Sequence, residues 1–374
     1  MRKAKAAVFV GANKDFEVRE YPLAKPSPGQ ALLKLCISGI CGTDLHIHEG
    51  RLGMPSPLII GHEFIGEIFE INKGEITDKS TTTDGSAVSD LKVGDKVIFN
   101  AASPCGTCLL CRNGDSANCL NFEVAFAQDP TNPPHFFGGF AEYSYAYIVN
   151  LIKIPESVKY KAAAVYPCAG PTIIHALKLG GLFEVDASKK VETVVIQGLG
   201  PVGMFAVIWA LKAGIKNVIV SARTSGNRAD LARKLGVKDI VEPEKVGEHI
   251  AVLTDAVGAD LAIECSGNPE AFNQGVKLLR NRGIYLVPGQ YSDSGEIAFG
   301  PQNITFKALQ IYGSAQYDTS DVIDYVDFLE KHKDIQDAIK DSLKSYSVDQ
   351  INDAMAEAKK KTNCKVVLAS PDCG

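Results

Sequence analysis

The stretch that decides the fold is residues 191–223, VETVVIQGLGPVGMFAVIWALKAGIKNVIVSAR. An apolar, β-branched run from Val194 to Ile196 enters the turn 198–203, which has the form G-x-G-x-x-G. A helix-like stretch then follows as far as Ala213. The motif carries weight here because it follows a strand and opens a helix, the context that such a turn needs to bind a nucleotide.

Each glycine of this turn has a separate task. Gly198 permits the tight turn, Gly200 lets a pyrophosphate approach the backbone, and Gly203 allows the helix to pack closely on the strand. Pro201 and Val202 open the helix, whose N-terminus then faces the phosphates. We therefore expect these five residues to bind the cofactor.

Strands and helices continue to alternate after the turn. The sequence predicts a second strand at 217–220, a helix near 227–234, a strand at 260–264, a helix at 269–279 and a strand at 284–287. Such alternation is typical of a doubly wound parallel sheet with right-handed crossovers, the Rossmann fold.

The end of the second strand bears on the choice of dinucleotide. In NAD-binding domains an acidic residue about 20 residues past the turn holds the ribose hydroxyls. Here the segment after the strand contains Ala222, Arg223 and Arg228 but no carboxylate. A guanidinium suits a 2′-phosphate, so we predict that these residues bind the cofactor and favour NADP over NAD. Arg223 could instead be a solvated charge or stack on the adenine.

The first 150 or so residues have a different pattern. Short alternating runs at 31–37, 65–71 and 92–99 predict a β-rich, barrel-like domain. Two polar or proline-rich segments, 76–91 and 127–134, are expected to be surface loops. Beyond Gly313 the sequence predicts two more helices and a strand, at 319–333, 348–360 and 365–369.

Four of the 10 cysteines lie close together in the segment PCGTCLLCRNGDSANC. Their spacing, C-x2-C-x2-C-x7-C, lets the thiolates converge on one centre and complete a closed tetrahedral shell, as in structural zinc sites. The predicted ligands are Cys105, Cys108, Cys111 and Cys119. An iron–sulfur cluster or four unrelated thiols are the alternatives. We expect the remaining Cys36, Cys265, Cys364 and Cys373 to be small buried residues or surface thiols.

Three further residues form a second candidate metal site. Cys41 opens the segment CGTDLH, His62 lies in GHEFIGE, and Cys168 lies in YPCAGPT. Each has an ordinary structural explanation, but together they supply one imidazole and two thiolates. That set suits a catalytic zinc whose fourth position is free for water or substrate. Asp44 and Glu63 adjoin these ligands and are candidates to orient the histidine or balance the metal's charge.

Composition excludes several classes of protein. The chain has 374 residues, of which 45% are hydrophobic and 22% charged, and its formal net charge is −5. These values argue against wholesale disorder, and the absence of a basic block argues against nucleic acid or an acidic membrane as a partner. No apolar run approaches the roughly 20 residues of a membrane helix. The first ten residues have a basic start but no long apolar core, so they are interpreted as a strand and the protein as cytoplasmic.

Taken together, the motifs resemble those of the zinc-dependent medium-chain alcohol and polyol dehydrogenases. The resemblance implies an α/β fold in which a GroES-like catalytic domain, 1–169 and 313–374, is interrupted by a Rossmann cofactor domain, 170–312, with a structural zinc lobe at about 100–122. Five motifs carry it, in this order along the chain: CGTDLH at 41–46, GHEFIG at 61–66, the four-cysteine segment, GFAEY at 139–143 and GLGPVG at 198–203.

The resemblance also implies roles for residues at the catalytic metal. Cys41, His62 and Cys168 would bind the catalytic zinc, and Glu63, close behind, would act as an alternative ligand. Many polyol dehydrogenases use glutamate as the third ligand. Cys168 departs from that pattern and argues against a sorbitol-type enzyme.

Four more residues match positions around the substrate and the cofactor. Thr43 and His46 correspond to the family's proton relay, although His46 could also be a surface histidine. Thr172 corresponds to a residue near the nicotinamide, and Lys365 to a basic residue that contacts the pyrophosphate.

The implied activity is reversible oxidation of an alcohol to a ketone or aldehyde, with hydride transfer to NAD(P). The substrate could be a secondary alcohol, a polyol or a sugar-type compound, and the protein is expected to be a homodimer or homotetramer. One alternative is a zinc-free reductase of the same superfamily, a branch that lacks the three zinc ligands. Another is a zinc-stabilised or nucleotide-binding protein that has lost catalysis, although both ligands and relay are intact.

Overall fold

The computed structural model describes residues 2–74, 90–124, 126–183, 186–290 and 294–371. The chain divides into two compact units: unit 1 is 1–168 with 317–374, and unit 2 is 169–316. Most of the expected surface loop 76–91 lies outside the described residues, whereas 127–134 forms a largely exposed loop of turns. No helix in the described ranges is long and apolar enough to cross a membrane.

The first part of unit 1 is built mainly of strands. Its helices are short: α1 Gly42–His48, α2 Leu109–Arg112 and α3 Tyr160–Ala163. Its strands are β1 Lys3–Val8, β2 Glu17–Pro22, β3 Gln30–Gly39, β4 Glu63–Asn72, β5 Lys96–Phe99, β6 Ala102–Ser103, β7 Glu123–Val124, β8 Tyr143–Tyr147 and β9 Leu151–Lys153.

Unit 2 alternates helix and strand. Its elements are α4 Ala169–Leu179, β10 Thr193–Gln197, α5 Pro201–Lys212, β11 Asn217–Ser221, α6 Asn227–Leu235, β12 Asp239–Val241, α7 Val246–Leu253, β13 Ala259–Glu264, α8 Pro269–Leu278, β14 Leu279–Val287, α9 Gln302–Lys307 and β15 Gln310–Gly313.

The last segment returns to unit 1. Its elements are α10 Thr319–Lys331, α11 Lys333–Ile339, β16 Leu343–Tyr346, α12 Ile351–Lys359 and β17 Lys365–Ala369. Short 3₁₀ turns occur in both units, at Ser116–Asn118, Ile148–Asn150, Ala187–Lys189 and Val348–Gln350.

The main sheet of unit 1 has seven strands in the order β16-β17-β3-β4-β5-β9, and β8 also pairs with β3. The long antiparallel pair β3 and β4 shifts register twice, and such irregularities bend a sheet and increase its twist. One hydrophobic cluster of the unit contains Phe9, Phe16 and Phe140, and the ring of Phe16 packs against the other two. Since β17 pairs with β3, the end of the chain completes this sheet.

The sheet of unit 2 has six parallel strands in the order β12-β11-β10-β13-β14-β15. This is the Rossmann order, which reverses between β10 and β13. All five residues of β10 are buried, and α5 packs on the sheet with an almost wholly apolar surface. The carboxyl ends of β10 and β13 therefore border the crevice in which such sheets bind ligands.

The structure differs from the sequence predictions in several details, among them α11 and β16, which were not predicted. The strand predicted at 92–99 begins only at Lys96, because Lys92 N donates to Asp95 Oδ2 (3.0 Å) and closes a turn ahead of it. Cys36, expected to be a small buried residue or a surface thiol, is buried in β3 but is disulfide-bonded. Cys373 lies outside the described residues.

Candidate functional site

Backbone pairing explains how residues 41 and 62 come together. Gly39 at the end of β3 pairs with Glu63 at the start of β4, so the chain leaving one strand and the chain entering the other lie side by side. Cys41 then caps the N-terminus of α1, and its backbone N–H donates to Asp44 Oδ2 (2.8 Å). Cys168 reaches the same place from the end of unit 1's first segment.

The donor atoms of Cys41, His62, Glu63 and Cys168 all lie within 4.8 Å of one another. His62 and Glu63 are buried, and the two cysteines are partly buried. His62 Nδ1 lies 3.3 Å from Asp44 Oδ1, close enough for an ion pair, but the two atoms do not form a hydrogen bond. Burial lowers the pKa of His62, but the interactions with Asp44 and Cys41 together outweigh burial, and the pKa is raised. Sulfur and imidazole donors that converge in this way fit a zinc ion.

Glu63 has a partner that the sequence did not reveal. Lys365, the first residue of β17, donates from Nζ to Glu63 Oε2, and each side chain is only 1% exposed. Burial, followed by the charge of Cys41, raises the pKa of Glu63 to about 7, against the opposing effect of Lys365. The contact between Lys365 and a pyrophosphate stays a prediction. If it forms, the Lys365 ammonium must bind both the pyrophosphate and Glu63.

The two predicted relay residues lie on α1. Thr43 Oγ1 is 3.7 Å from Cys41 Sγ, so its hydroxyl reaches the metal site. His46 is partly exposed one turn further on. Burial, followed by the charge of Arg51, lowers the pKa of His46. The neighbouring His48 has a structural role, since its ring stacks on Phe16 and its Nε2 lies 3.0 Å from the Lys14 carbonyl oxygen.

The four lobe cysteines form the other possible metal centre in the described part of the chain, with their sulfurs also within 4.8 Å of one another. Backbone N–H groups point at the sulfurs: Cys105 N lies 3.2 Å from Cys119 Sγ, and Cys108 N lies 3.4 Å from Cys105 Sγ. Such donors favour thiolates, and those of Thr107 lower the pKa of Cys105 to about 5. A closed set of four sulfurs fits a structural zinc.

The lobe is closed at its base and makes hydrogen bonds to the rest of unit 1. The short strands β6 and β7 pair at its base. Ser116 Oγ donates to Asp318 Oδ2 (3.1 Å), and Asp318 in turn caps α10 by accepting from Ser320 N (2.8 Å). The lobe's fold therefore depends on its own cysteines and on these few contacts.

In unit 2 the glycine turn has the geometry predicted from the sequence. Gly198 has φ +94°, a conformation that side chains disfavour. A Cβ at Gly203 would lie 2.1 Å from the Gly198 carbonyl oxygen, so only glycine fits there. No described atom lies within 4 Å of a Cβ built at Gly200, which leaves its backbone approachable. Pro201 and Val202 form the first turn of α5, so the turn fits a pyrophosphate.

The exit of β11 contains a carboxylate that the sequence analysis missed. Glu242, just after β12, accepts from Thr224 N (3.1 Å) and Thr224 Oγ1 (3.0 Å). Strand β12 lies beside β11, so its end reaches the loop that holds Ala222 and Arg223. Arg223 itself is exposed, and Arg228 is partly buried at the start of α6. Only the strand order, not sequence spacing, could have indicated Glu242.

Two further residues complete the comparison with the sequence predictions. Thr172 is buried in the first half of α4, which belongs to unit 2. Tyr317, which the sequence analysis missed, is 4% exposed in unit 1. Burial, followed by the nearby charge of Cys168, raises its pKa well above the ordinary value. Tyr317 therefore belongs to the surroundings of the metal ligands.

Comparison with known families agrees with this geometry. Residues 27–156 match the alcohol dehydrogenase GroES-like domain, and residues 201–331 match the zinc-binding dehydrogenase domain. The first match covers the strands around Cys41 and His62 together with the lobe, and the second covers most of the parallel sheet.

Individual relatives extend over most of the chain. A 5-exo-hydroxycamphor dehydrogenase of Pseudomonas putida is 33% identical over 84% of this chain and 84% of its own length. A sorbitol dehydrogenase of Halalkalibacterium halodurans is 30% identical over 82% of both. The crystal structure of an alcohol dehydrogenase from Thermotoga maritima superposes with a TM-score of 0.86 at 27% identity, covering 99% of this chain and 100% of that one.

Together, the metal-ligating cluster, the Rossmann sheet and these matches support one conclusion. The chain belongs to the zinc-type medium-chain alcohol dehydrogenases with a GroES-like domain, and it transfers a hydride between an alcohol and NAD(P).

Proposed function

We propose that Cys41, His62 and Cys168 hold a catalytic zinc, that the lobe holds a second, structural zinc, and that the preferred cofactor is NADP. The observation that carries the proposal is the convergence of one imidazole and two thiols from three distant segments. Three protein ligands leave a metal position for the substrate oxygen, whereas the four lobe sulfurs leave none.

The chain's own residues would handle the substrate proton. When bound, zinc supplies a Lewis acid for the alcohol oxygen and the nicotinamide supplies the hydride acceptor. Thr43 Oγ1, which adjoins Cys41, receives the hydroxyl proton and passes it toward His46. Because the pKa of His46 is lowered from its ordinary value of 6.5, its imidazole is still neutral at a pH just below 6.5. A neutral imidazole can accept a proton.

Glu63 would serve as an alternative ligand. Its carboxylate adjoins His62 in the chain and shares the donor cluster. The pairing with Lys365 balances its charge while it is not bound to metal. Lys365 thereby holds the carboxylate near the metal in a site where an unpaired charge would be costly.

The preference for NADP rests on Arg223, which is exposed at the exit of β11. The test is binding of NADPH and NADH, followed by nicotinamide fluorescence, to wild type and to Arg223→Ala. Lys216→Ala is the matched control, because Lys216 is an exposed cation just before the opposite end of the same strand. We expect NADPH to bind at least about tenfold tighter to wild type and to the control, and Arg223→Ala to lose that preference. Equal or tighter binding of NADH by wild type would contradict this preference.

For the substrate, we propose a secondary alcohol. The relative named for 5-exo-hydroxycamphor acts on a ring carbon that carries a secondary hydroxyl. The test is a panel of secondary alcohols, polyols and sugar-type alcohols, assayed with NADP⁺ and with NAD⁺. Each compound with a secondary hydroxyl is paired with a primary alcohol of equal carbon number. A higher kcat/KM for the secondary member of each pair is expected, and consistent preference for the primary member would overturn this choice.

We also propose a cytoplasmic homodimer or homotetramer. The family resemblance supports the oligomer, and the eight described cysteines that form no disulfide support a reducing compartment, although Cys36 is disulfide-bonded. Light scattering of the purified protein should give two or four times the 40.1 kDa chain mass. Cell fractionation should recover the protein with cytoplasmic markers. A monomer or a secreted product would contradict these two expectations.

A further inference from the structure

Glu264 is a buried carboxylate at the carboxyl end of β13. Its register partner is Gln197, the last residue of β10. The strand order of the sheet reverses between these two strands. Ligands of open parallel sheets bind outside the carboxyl ends of the strands at this reversal, so Glu264 borders the cofactor crevice.

The Glu264 side chain fixes the backbone that leaves β13. Its Oε1 accepts from Ser266 N (2.7 Å), Ser266 Oγ (2.5 Å) and Gly267 N (3.1 Å). Its own carbonyl oxygen accepts from Gly289 N (2.9 Å), just beyond β14. Glu264 is 0% exposed, and a buried carboxylate is tolerated only with such compensation. One residue therefore holds the exits of two neighbouring strands.

Close backbone packing shows how tightly these exits are placed. A Cβ at Gly289 would lie 2.4 Å from Glu264 Oε2. A Cβ at Gly198, the first glycine of the pyrophosphate turn, would lie 2.9 Å from Ser266 Cα. The segment that Glu264 holds is therefore closely packed on both sides, against Gly289 and against the first glycine of the turn.

We propose that Glu264 is a positioning residue for the nicotinamide half of the cofactor. The glycine turn after β10 takes the pyrophosphate, and the exit of β11 takes the adenosine ribose. The remaining half of the dinucleotide must then extend across the exits of β13 and β14, which Glu264 holds. This inference rests on the dinucleotide binding of the proposed function, and it adds a residue that contacts neither the metal cluster nor the adenosine side.

The test variant is Glu264→Gln, which keeps the shape of the side chain but removes its charge. The amide oxygen can take the place of Oε1, but a neutral amide accepts from the three donors more weakly than a carboxylate does, and its NH₂ group opposes them if it turns. We expect calorimetry to show that the dinucleotide binds about 10- to 100-fold more weakly, in line with losing hydrogen bonds to a charged group. The adenosine half alone should bind within about twofold of wild type. Two pairs of probes are used, each a dinucleotide and its adenosine half measured separately. The first pair is NADPH and adenosine 2′,5′-bisphosphate, and the second is NADH and ADP.

Asp260→Asn is the matched control. Asp260 lies near the start of the same strand, where its Oδ2 accepts from Glu192 N and Thr193 N (both 2.9 Å), at the sheet edge opposite the crevice. This variant should lower the melting temperature while leaving the ratio of dinucleotide to adenosine-half affinity unchanged. Glu264→Asp, which keeps the charge but shortens the reach, should show the Gln variant's selective loss, and it carries the test if Glu264→Gln does not fold.

The outcomes separate the inference from the function on which it rests. A loss confined to the dinucleotide in the Glu264 variants supports the inference. An equal loss for dinucleotide and adenosine half, or no loss for either, would overturn it, because Glu264 would then have only a general structural role or none. If wild type itself binds neither dinucleotide, the dinucleotide binding of the proposed function fails, and this inference fails with it.

Discussion

The two cysteine-containing clusters of unit 1 are built by opposite means. The lobe ligands come from one short segment, with backbone N–H groups directed at their sulfurs. The other cluster gathers Cys41, His62 and Cys168 from segments far apart in the chain, and a buried carboxylate and ammonium lie beside it. The lobe can thus form locally, whereas the second cluster needs the whole unit to fold. Local formation suits a structural site in the lobe, and assembly by the whole unit suits a catalytic site at the second cluster.

The largest expected effect is on the dispersed cluster itself. Cys168→Ser removes a thiolate ligand and should lower kcat/KM for alcohol oxidation at least about 10³-fold, since the Lewis acid is worth several kcal/mol. Steady-state assays against Cys364→Ser, at a cysteine that forms no disulfide and lies outside both clusters, provide the comparison. Near-normal activity in Cys168→Ser would remove this residue from the catalytic set.

The next effect concerns the buried pair. Lys365→Met leaves Glu63 as an unpaired carboxylate and should lower the free energy of unfolding by about 3–5 kcal/mol at pH 8. Without Lys365 the Glu63 carboxyl takes up a proton at a higher pH than in wild type, where its pKa is about 7, so the deficit should shrink as the pH falls toward 7 and then level off.

Urea denaturation at pH 6 and pH 8 measures this deficit. The double variant Lys365→Met with Glu63→Gln is the control, and it should recover most of the stability because no buried charge is left alone. A deficit that is the same at both pH values would contradict the pairing as its cause.

A smaller effect is expected at Asp44. Asp44→Asn keeps an oxygen for the Cys41 N–H but removes the negative charge 3.3 Å from His62 Nδ1. Zinc affinity at this cluster should fall about 10- to 100-fold, as for other groups that orient a ligating histidine. Competition with a chromophoric chelator measures the affinity. The lobe's zinc should be released as in wild type, and equal weakening of both sites would count against a specific effect on His62.

The smallest effect tests the relay. The charge of Arg51 contributes to the lowered pKa of His46, so Arg51→Gln should raise that pKa toward 6.5. Since His46 accepts a proton only when neutral, the acidic limb of the kcat/KM profile should move to higher pH. The profile of His46→Asn should lack this limb. An unmoved limb in Arg51→Gln would mean that another group titrates there.

Local features of the fold and the site could be predicted from the sequence. The glycine turn has its motif within six residues, and the lobe has its ligands within one short segment, so both patterns are visible in the printed chain. The alternation of helix and strand likewise follows from local periodicity. For such features the physical cause and the sequence signal lie in the same few residues.

Features that depend on strand order could not be predicted in this way. Lys365 pairs with Glu63 only because β17 returns to lie against β3, which itself pairs with β4. Glu242 reaches Thr224 only because β12 lies beside β11. No periodicity encodes these neighbours. The sequence analysis therefore missed both contacts. It had singled out Lys365 and Glu63 as separate site residues, but not as partners.

The most direct test of the account is the zinc content of the purified protein and of one variant in each cluster. Plasma emission spectrometry should find two zinc ions per chain in wild type and one each in Cys168→Ser and Cys111→Ser. Activity should be lost in Cys168→Ser, and stability in Cys111→Ser. A single zinc in wild type that Cys168→Ser retains would contradict the account, because the dispersed cluster would then not be the catalytic metal site.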